Sequence, residues 1–372
     1  MFADIAERPV VDAASGVLTI DLAALAANYR LLQARLAPAR AAGVVKADAY
    51  GLGASRVAPA LYAAGCRDFF VAHLGEALTL RPLLASDARL YVLNGLQPGA
   101  ETACAEAGIV PVLNSLEQID NWTAQARARR STLPALLQFD SGMCRLGLEP
   151  QDAEALATEP ARLKGIEILH VMSHLACADE PDNAQNAEQL AAFDRLAALF
   201  PAATPCFANS GGSFLGASYA GALARPGLAL YGGAPFDGLP NPMAPVVRLD
   251  VPVIQTRIVP AGSRIGYGGR FVAPTEMRLA TIGAGYADGL PRHLSDRGAA
   301  WFGDTRLPII GRVSMDSIIL DIGALPAGSL HLGSLVEVIG PHQTLEDVAE
   351  AAGTIAYEIL TRLGARYHRI YR

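Results

Sequence analysis

No long basic stretch occurs in this chain: the densest is ARARR at 126–130, and the net charge is −6. A nucleic-acid or anionic-membrane partner is not expected from such a balance. No apolar run is long enough to span a bilayer, in spite of the alanine richness. The amino-terminal MFADIAERPVVD carries acids where a secretory signal would have an apolar core. Five cysteines (Cys66, Cys104, Cys144, Cys177, Cys206) form no C-x-x-C pair, so reduced thiols in a cytoplasmic protein are expected. Several catalytic signatures are missing too. GLGASR and GAGYADG both fail the dinucleotide pattern G-x-G-x-x-G, and GGSFLG misses the nucleophile elbow by one residue. HVMSH spaces His170 and His174 four apart but lacks the acid of a zinc-protease helix and reads as a strand, so no metal site is expected.

What is present is a chain of 372 residues, 51% hydrophobic and 18% charged, which suits a compact protein of two domains. A helical segment, DLAALAANYRLLQARLA, opens the pattern at Asp21. Eight short apolar runs then alternate with alanine-rich helical stretches: VVK (44–46), FFVA (69–72), LYVL (90–93), IVPVL (109–113), ALLQF (135–139), IEILHVM (166–172), CFA (206–208) and LALYG (228–232). Eight strand–helix units predict a (β/α)8 TIM-type barrel, α/β in class, over residues 12–245. From 246 to 372 the texture changes to valine, isoleucine, proline and glycine, with strands expected at 251–259, 277–282, 307–310, 318–322 and 335–339. A helix is expected from Thr344, where TLED offers a cap, and another in TIAYEILTRLG. This predicts a mostly-β second domain, with an amino-terminal strand at 1–11 joining it.

Barrel enzymes work at the carboxyl ends of their strands, and polar residues follow the runs there: Lys46, His73, Asn94, Asn114, Asp140, His174, Asn209 and Ser210. Lys46 is the most pointed, pushed out of an apolar strand into GVVKADAYGLGAS. With the other nucleophile patterns absent, an amine that forms a Schiff base with a carbonyl is the leading chemistry, and pyridoxal phosphate is the commonest such carbonyl. A phosphate cradle is available in Asn209-Ser210-Gly211-Gly212 and Arg225-Pro226-Gly227-Leu228, in the last two barrel units where barrel phosphate sites lie.

Taken in order, VVKADAYGLG, FDSGMCRLG, ANSGG, RPGLALYG, RIGYGGR, GYADGLPR, GRVSMD and AYEIL resemble alanine racemase across nearly the whole chain. Each motif alone has an ordinary structural reading; their joint order is what carries the resemblance. It implies a pyridoxal 5'-phosphate barrel followed by a β-domain, working as a homodimer with shared sites on a small-molecule substrate, alanine. Lys46 would hold the cofactor and act as one base, and Tyr267 of the partner subunit as the other. Tyr50, Asn209, Ser210, Gly227, Leu228 and Tyr357 would surround the phosphate. Arg225 would face the pyridine nitrogen, with His174 linking it toward the tyrosine. Arg145 would lie near the cofactor phenolate and the substrate carboxylate, Met315 would contact that carboxylate, and Tyr286 would line the access path. D-Alanine supply for peptidoglycan and alanine catabolism are both compatible with this chemistry. A racemase of serine or other small amino acids is the nearest alternative. A non-enzymatic pyridoxal-phosphate-binding barrel would lack the β-domain and Tyr267, and a barrel-plus-β-domain decarboxylase would carry a different lysine motif. The sequence departs from the family pattern at Gln138, where many members carry a lysine that becomes carbamylated, and at Leu52 and Asp48.

Overall fold

A computed structural model describes residues 14–372, so the strand expected at 1–11 lies outside the described residues. The described chain divides into two compact units, residues 24–244 and residues 14–23 with 245–372.

The first unit is a barrel. Seven parallel strands follow in chain order: Gly43–Val44, Asp68–Val71, Arg89–Val92, Val110–Leu113, Leu133–Gln138, Ile166–Met172 and Thr204–Cys206. Strands such as Asp68–Val71 and Val110–Leu113 are buried at every position, as parallel strands covered on both faces must be. The eighth strand is not LALYG, which forms a 3-10 turn at Leu228–Tyr231. Leu223–Ala224 takes its place, pairing in parallel with Arg40–Ala41. The ring closes through Arg40, Ala42 and Val44 N–H groups donating to the carbonyls of Ala222, Ala224 and Pro226 (3.0, 2.8 and 3.2 Å). On the other side Ala222 and Arg225 N–H donate to Pro205 and Ala208 carbonyls, both at 2.7 Å. The apolar run LALY misled because a short, wholly buried stretch carries no periodicity to separate strand from turn. Helices lie between the strands where expected, with Ser115 and Asn183 capping Leu116–Arg129 and Ala184–Ala197.

At the amino-terminal ends of the barrel strands sits a buried polar cluster. Asp68 accepts from Tyr91 Oη (2.9 Å) and Arg40 Nε (3.0 Å). His170, 4% exposed, meets Thr204 Oγ1 through Nδ1 (2.6 Å), while its Nε2 has no hydrogen-bond partner among the described residues. Burial pushes this imidazole down to about 4, with Arg40 and Arg89 lowering it further and Asp68 opposing. The folded form therefore binds the proton less readily than the unfolded chain, so His170 contributes stability above pH 6.5 that is lost as the pH falls toward 4. The loss should be about 3 kcal/mol. Urea unfolding read at Trp122, in a Trp301→Phe background, should show that much less acid sensitivity for His170→Asn than for its parent. Equal sensitivity would remove His170 from the account.

In the second unit the long strand Val247–Val259 organises the sheet. It pairs with Leu335–Ile339, Val17–Ile20 and Met277–Ile282, and the last pairs with Ile318–Asp321. Val17–Ile20 is held antiparallel to 247–250 and parallel to His368–Tyr371, which is why the barrel unit starts at 24 and not at 12. The strand expected at 307–310 is Thr305–Pro308, paired with Ala299–Phe302. Thr344 caps Leu345–Ala352, accepting from Asp347 N–H (3.2 Å).

Candidate active site

Lys46 leaves the end of the first barrel strand into an unusual turn. Ala47, Asp48, Ala49 and Tyr50 all have positive φ, from 52° to 57°, a full turn of left-handed helix built without glycine. For L-residues this costs roughly 1–2 kcal/mol each, so the turn needs bracing. Bonds from Ala49 N–H to Val45 O (3.0 Å), Gly51 N–H to Ala47 O (2.8 Å) and Gly53 N–H to Asp48 O (2.9 Å) supply part of it. Asp48 Oδ1 accepts from Ala54 N–H (2.7 Å), and Glu76 Oε1 accepts from Ala47 N–H (2.6 Å). The Lys46 amine is pushed below its ordinary pKa, first by burial and then by the charges of Arg145 and Arg225, with Glu76 opposing. Both arginines thus act on one amine that the sequence reading had singled out.

Arg225 is 4% exposed and fixed on several sides. Its Nη1 donates to Cys206 O (2.7 Å) and Sγ (3.0 Å), and its Nη2 to Ser173 O (2.6 Å) and Phe207 O (3.3 Å). Nη2 also lies 3.4 Å from His174 Nδ1. Burial, then Arg225, Arg145 and Lys46, hold His174 well below its usual pKa. A neutral ring with Nδ1 facing a permanent donor carries its proton on Nε2.

Behind Lys46 lies a cradle of small residues. Ser210 Oγ accepts from the N–H groups of Gly227 (2.9 Å) and Ala229 (3.2 Å). Asn209 shapes it from the backbone side, accepting from Gly212 N–H (2.9 Å) and donating to Leu175 O (3.3 Å). Tyr50 reaches Gly227 so closely that a Cβ there would lie 2.1 Å from its hydroxyl, so a larger residue would have to displace the phenol from this position. Leu228 is buried at the start of the 3-10 turn, and the Tyr231 hydroxyl in that turn donates to Val44 O (2.9 Å), on the strand that carries Lys46. Backbone N–H groups, a serine hydroxyl and a phenol converging on a glycine fit a phosphate group.

Arg145 stands exposed on a tight loop. Asp140 Oδ1 accepts from the N–H groups of Gly142, Met143 and Cys144 (2.8, 3.0 and 3.1 Å). Gln138, buried, donates through Nε2 to Leu146 O (3.2 Å). It holds the backbone one residue beyond Arg145.

The remaining expected residues belong to the second unit. Tyr267 is 68% exposed at the tip between Arg264–Ile265 and Phe271–Val272. Tyr286 and Met315 are neighbours: Tyr286 and Ala287 N–H donate to Ser314 and Met315 carbonyls, both at 3.0 Å. Gly285 permits this, since a Cβ there would lie 2.3 Å from Ser314 O. Tyr357 stands partly exposed on the helix Ala356–Arg362.

The profile of the alanine racemase N-terminal domain matches residues 20–235, and that of the C-terminal domain matches residues 246–371. The chain belongs to the alanine racemase family. A catabolic alanine racemase of Agrobacterium fabrum is 63% identical over 99% of this chain and 95% of its own. The alanine racemase of Brucella canis is 60% identical over 96% of this chain and 94% of its own. Among solved structures, the alanine racemase of Bartonella henselae with covalently bound pyridoxal phosphate aligns at a TM-score of 0.93 and 45% identity, over 96% of this chain and 100% of that one. That of Streptomyces coelicolor aligns at 0.91 and 34% identity, over 96% and 98%.

Some residues that shape the candidate site in this alanine racemase family member carry no signal in the sequence alone. Glu76 bonds both Ala47 N–H and the loop after the second strand, yet the cap before it is a histidine, so no capping pattern announced it. Arg366 pairs with buried Asp288 and with Asp316, each at 2.7 Å, bracing the segments of Tyr286 and Met315. Its distance in sequence hid that link.

Proposed function

We propose that this chain interconverts L- and D-alanine, with Lys46 and the partner subunit's Tyr267 as the two bases of a homodimer and pyridoxal 5'-phosphate as cofactor. The observation that carries the reading is the Lys46 amine, lowered in pKa under two arginine charges and set just past the end of the first barrel strand, beside the Ser210–Gly227–Tyr50 cradle. When bound at Lys46, the cofactor supplies an electron sink that makes the α-hydrogen of an amino acid acidic.

This chain's own residues do the rest. Ser210 Oγ, the Gly227 and Leu228 backbone and the Tyr50 and Tyr357 hydroxyls would hold the phosphate, in a cradle shaped by Asn209. Arg225, whose guanidinium is always charged and already donates to several backbone carbonyls, would face the pyridine nitrogen without giving it a proton. Arg145 and the Met315 backbone would orient the substrate carboxylate, and Tyr286 would line the access path. An amine lowered from its ordinary pKa has a larger neutral fraction, so Lys46 can accept a proton at Nζ on one face of the substrate. The Tyr267 hydroxyl would return one on the other. His174, neutral and beside Arg225, would pass that arginine's field toward Tyr267. Gln138 cannot be carbamylated; its bond to the Leu146 carbonyl positions Arg145 through the backbone instead. The cytoplasm, with its reducing thiol poise, suits the free cysteines.

The test exploits the composition. The chain has two lysines, Lys46 and Lys164. Borohydride reduction of the yellow protein should fix the cofactor mass on the Lys46 peptide, and the same preparation should racemise alanine faster than serine. Label on Lys164, or no alanine racemisation, would overturn the reading.

A further inference from the structure

We propose that Glu76 is a positioning residue: its carboxylate locks the left-handed turn that follows Lys46 and so fixes where the lysine amine sits. The inference rests on the reading of Lys46 as the reacting amine.

Glu76 is half-buried at the start of the helix Leu74–Leu80. Its Oε2 accepts from the N–H groups of Ala72 (2.8 Å) and His73 (3.0 Å), at the end of the second barrel strand. Its Oε1 crosses to the first strand and accepts from Ala47 N–H at 2.6 Å. One carboxylate thereby ties the ends of two adjacent strands together at the residue next to Lys46. Ala47 is also the first of the four left-handed residues, so this bond is made where the strain begins. A charge-assisted bond is about twice as strong as a neutral one, which suits it to holding a conformation the chain would otherwise leave. Glu76 is, besides, the anion that opposes the Arg145 and Arg225 charges at the Lys46 amine.

A helix-capping role alone makes a different demand. Glutamine caps as glutamate does, so a purely capping residue tolerates Glu76→Gln. The proposed role does not. A glutamine oxygen that serves Ala72 and His73 turns its NH2 toward the Ala47 N–H, donor against donor. Glu76→Gln should therefore lower kcat by about tenfold or more with KM changed less than about threefold, because a misplaced catalytic group costs rate and leaves binding intact. Hydrogen exchange in the full-length holoenzyme should accelerate by about tenfold or more over residues 47–53 and stay unchanged across the other barrel strands. Wild-type kcat in a folded Glu76→Gln protein would overturn the proposal. So would exchange rising equally throughout the barrel, the mark of a structural role alone. Should the variant not fold, the wild-type protein still decides: the Ala47 amide should exchange at least about a hundredfold slower than in a free peptide, and unprotected exchange there would sink the idea. Borohydride label on Lys164 would instead remove the reading of Lys46, while leaving the exchange result at Ala47 as it stands.

Discussion

Lys46→Ala should lose at least about four orders of magnitude in alanine racemisation, since on the proposed mechanism it removes both the cofactor's anchor and one of the two bases. The loss should come without unfolding. Lys46 is a partly buried cation facing two other cations, Arg145 and Arg225, so deleting its charge relieves repulsion while deleting its stem forfeits packing. These oppose one another, and the thermal midpoint should move by no more than about 4 °C, equivalent to roughly 1 kcal/mol. Lys46→Arg separates charge from basicity. Arginine keeps the cation and much of the volume but stays protonated and cannot accept the α-proton. Lys46→Arg should therefore be nearly as inactive as Lys46→Ala. More than about 1% of wild-type activity in Lys46→Arg would mean that a positive charge, and not a base, is what the position supplies.

The barrel was largely legible because its strands are short apolar runs separated by helical periods, and seven of them stand within a few residues of where the pattern put them. What failed left no local signal, for a different reason in each case. Leu228–Tyr231 is as apolar as a strand, but nothing in a buried tetrapeptide tells a 3-10 turn from an extended chain. Val17–Ile20 belongs to a sheet whose other members are more than two hundred residues away, and pairing at that distance leaves no local mark. Ala299–Phe302 was missed because alanine has weak strand propensity and Trp301 and Phe302 alone could not carry it.

The site divides the same way. Lys46, Arg225 and Tyr267 stood out as candidate residues in ordered motifs. The geometry around Lys46 was not, because KADAY contains no glycine to hint at positive φ before Gly51. A left-handed turn made of alanine, aspartate and tyrosine exists only where tertiary bonds outweigh local preference, and here the Asp48–Ala54 and Glu76–Ala47 bonds do so. Gln138 was visible as a departure from the family pattern, but its partner, the Leu146 carbonyl, became known only from the fold.

The shared site of the proposed dimer makes the largest qualitative prediction, a gain of activity from two dead proteins. Lys46→Ala and Tyr267→Phe should each be inactive alone, the first lacking one base and the second the other. Tyr267 stands 68% exposed at the tip of its hairpin, so losing its hydroxyl should leave that unit folded. When the two variants are unfolded, mixed equally with pyridoxal 5'-phosphate and refolded, random pairing makes about half of the dimers mixed. In a mixed dimer one site collects both substitutions, and the other collects an intact Lys46 from one chain and an intact Tyr267 from its partner. With independent sites and complete exchange, half of the dimers with half of their sites working gives about a quarter of wild-type activity. If both bases came from one chain, every site would lack one of them and mixing would restore nothing. Mixed dimers seen by native mass spectrometry without recovered activity would therefore exclude a site built across two subunits.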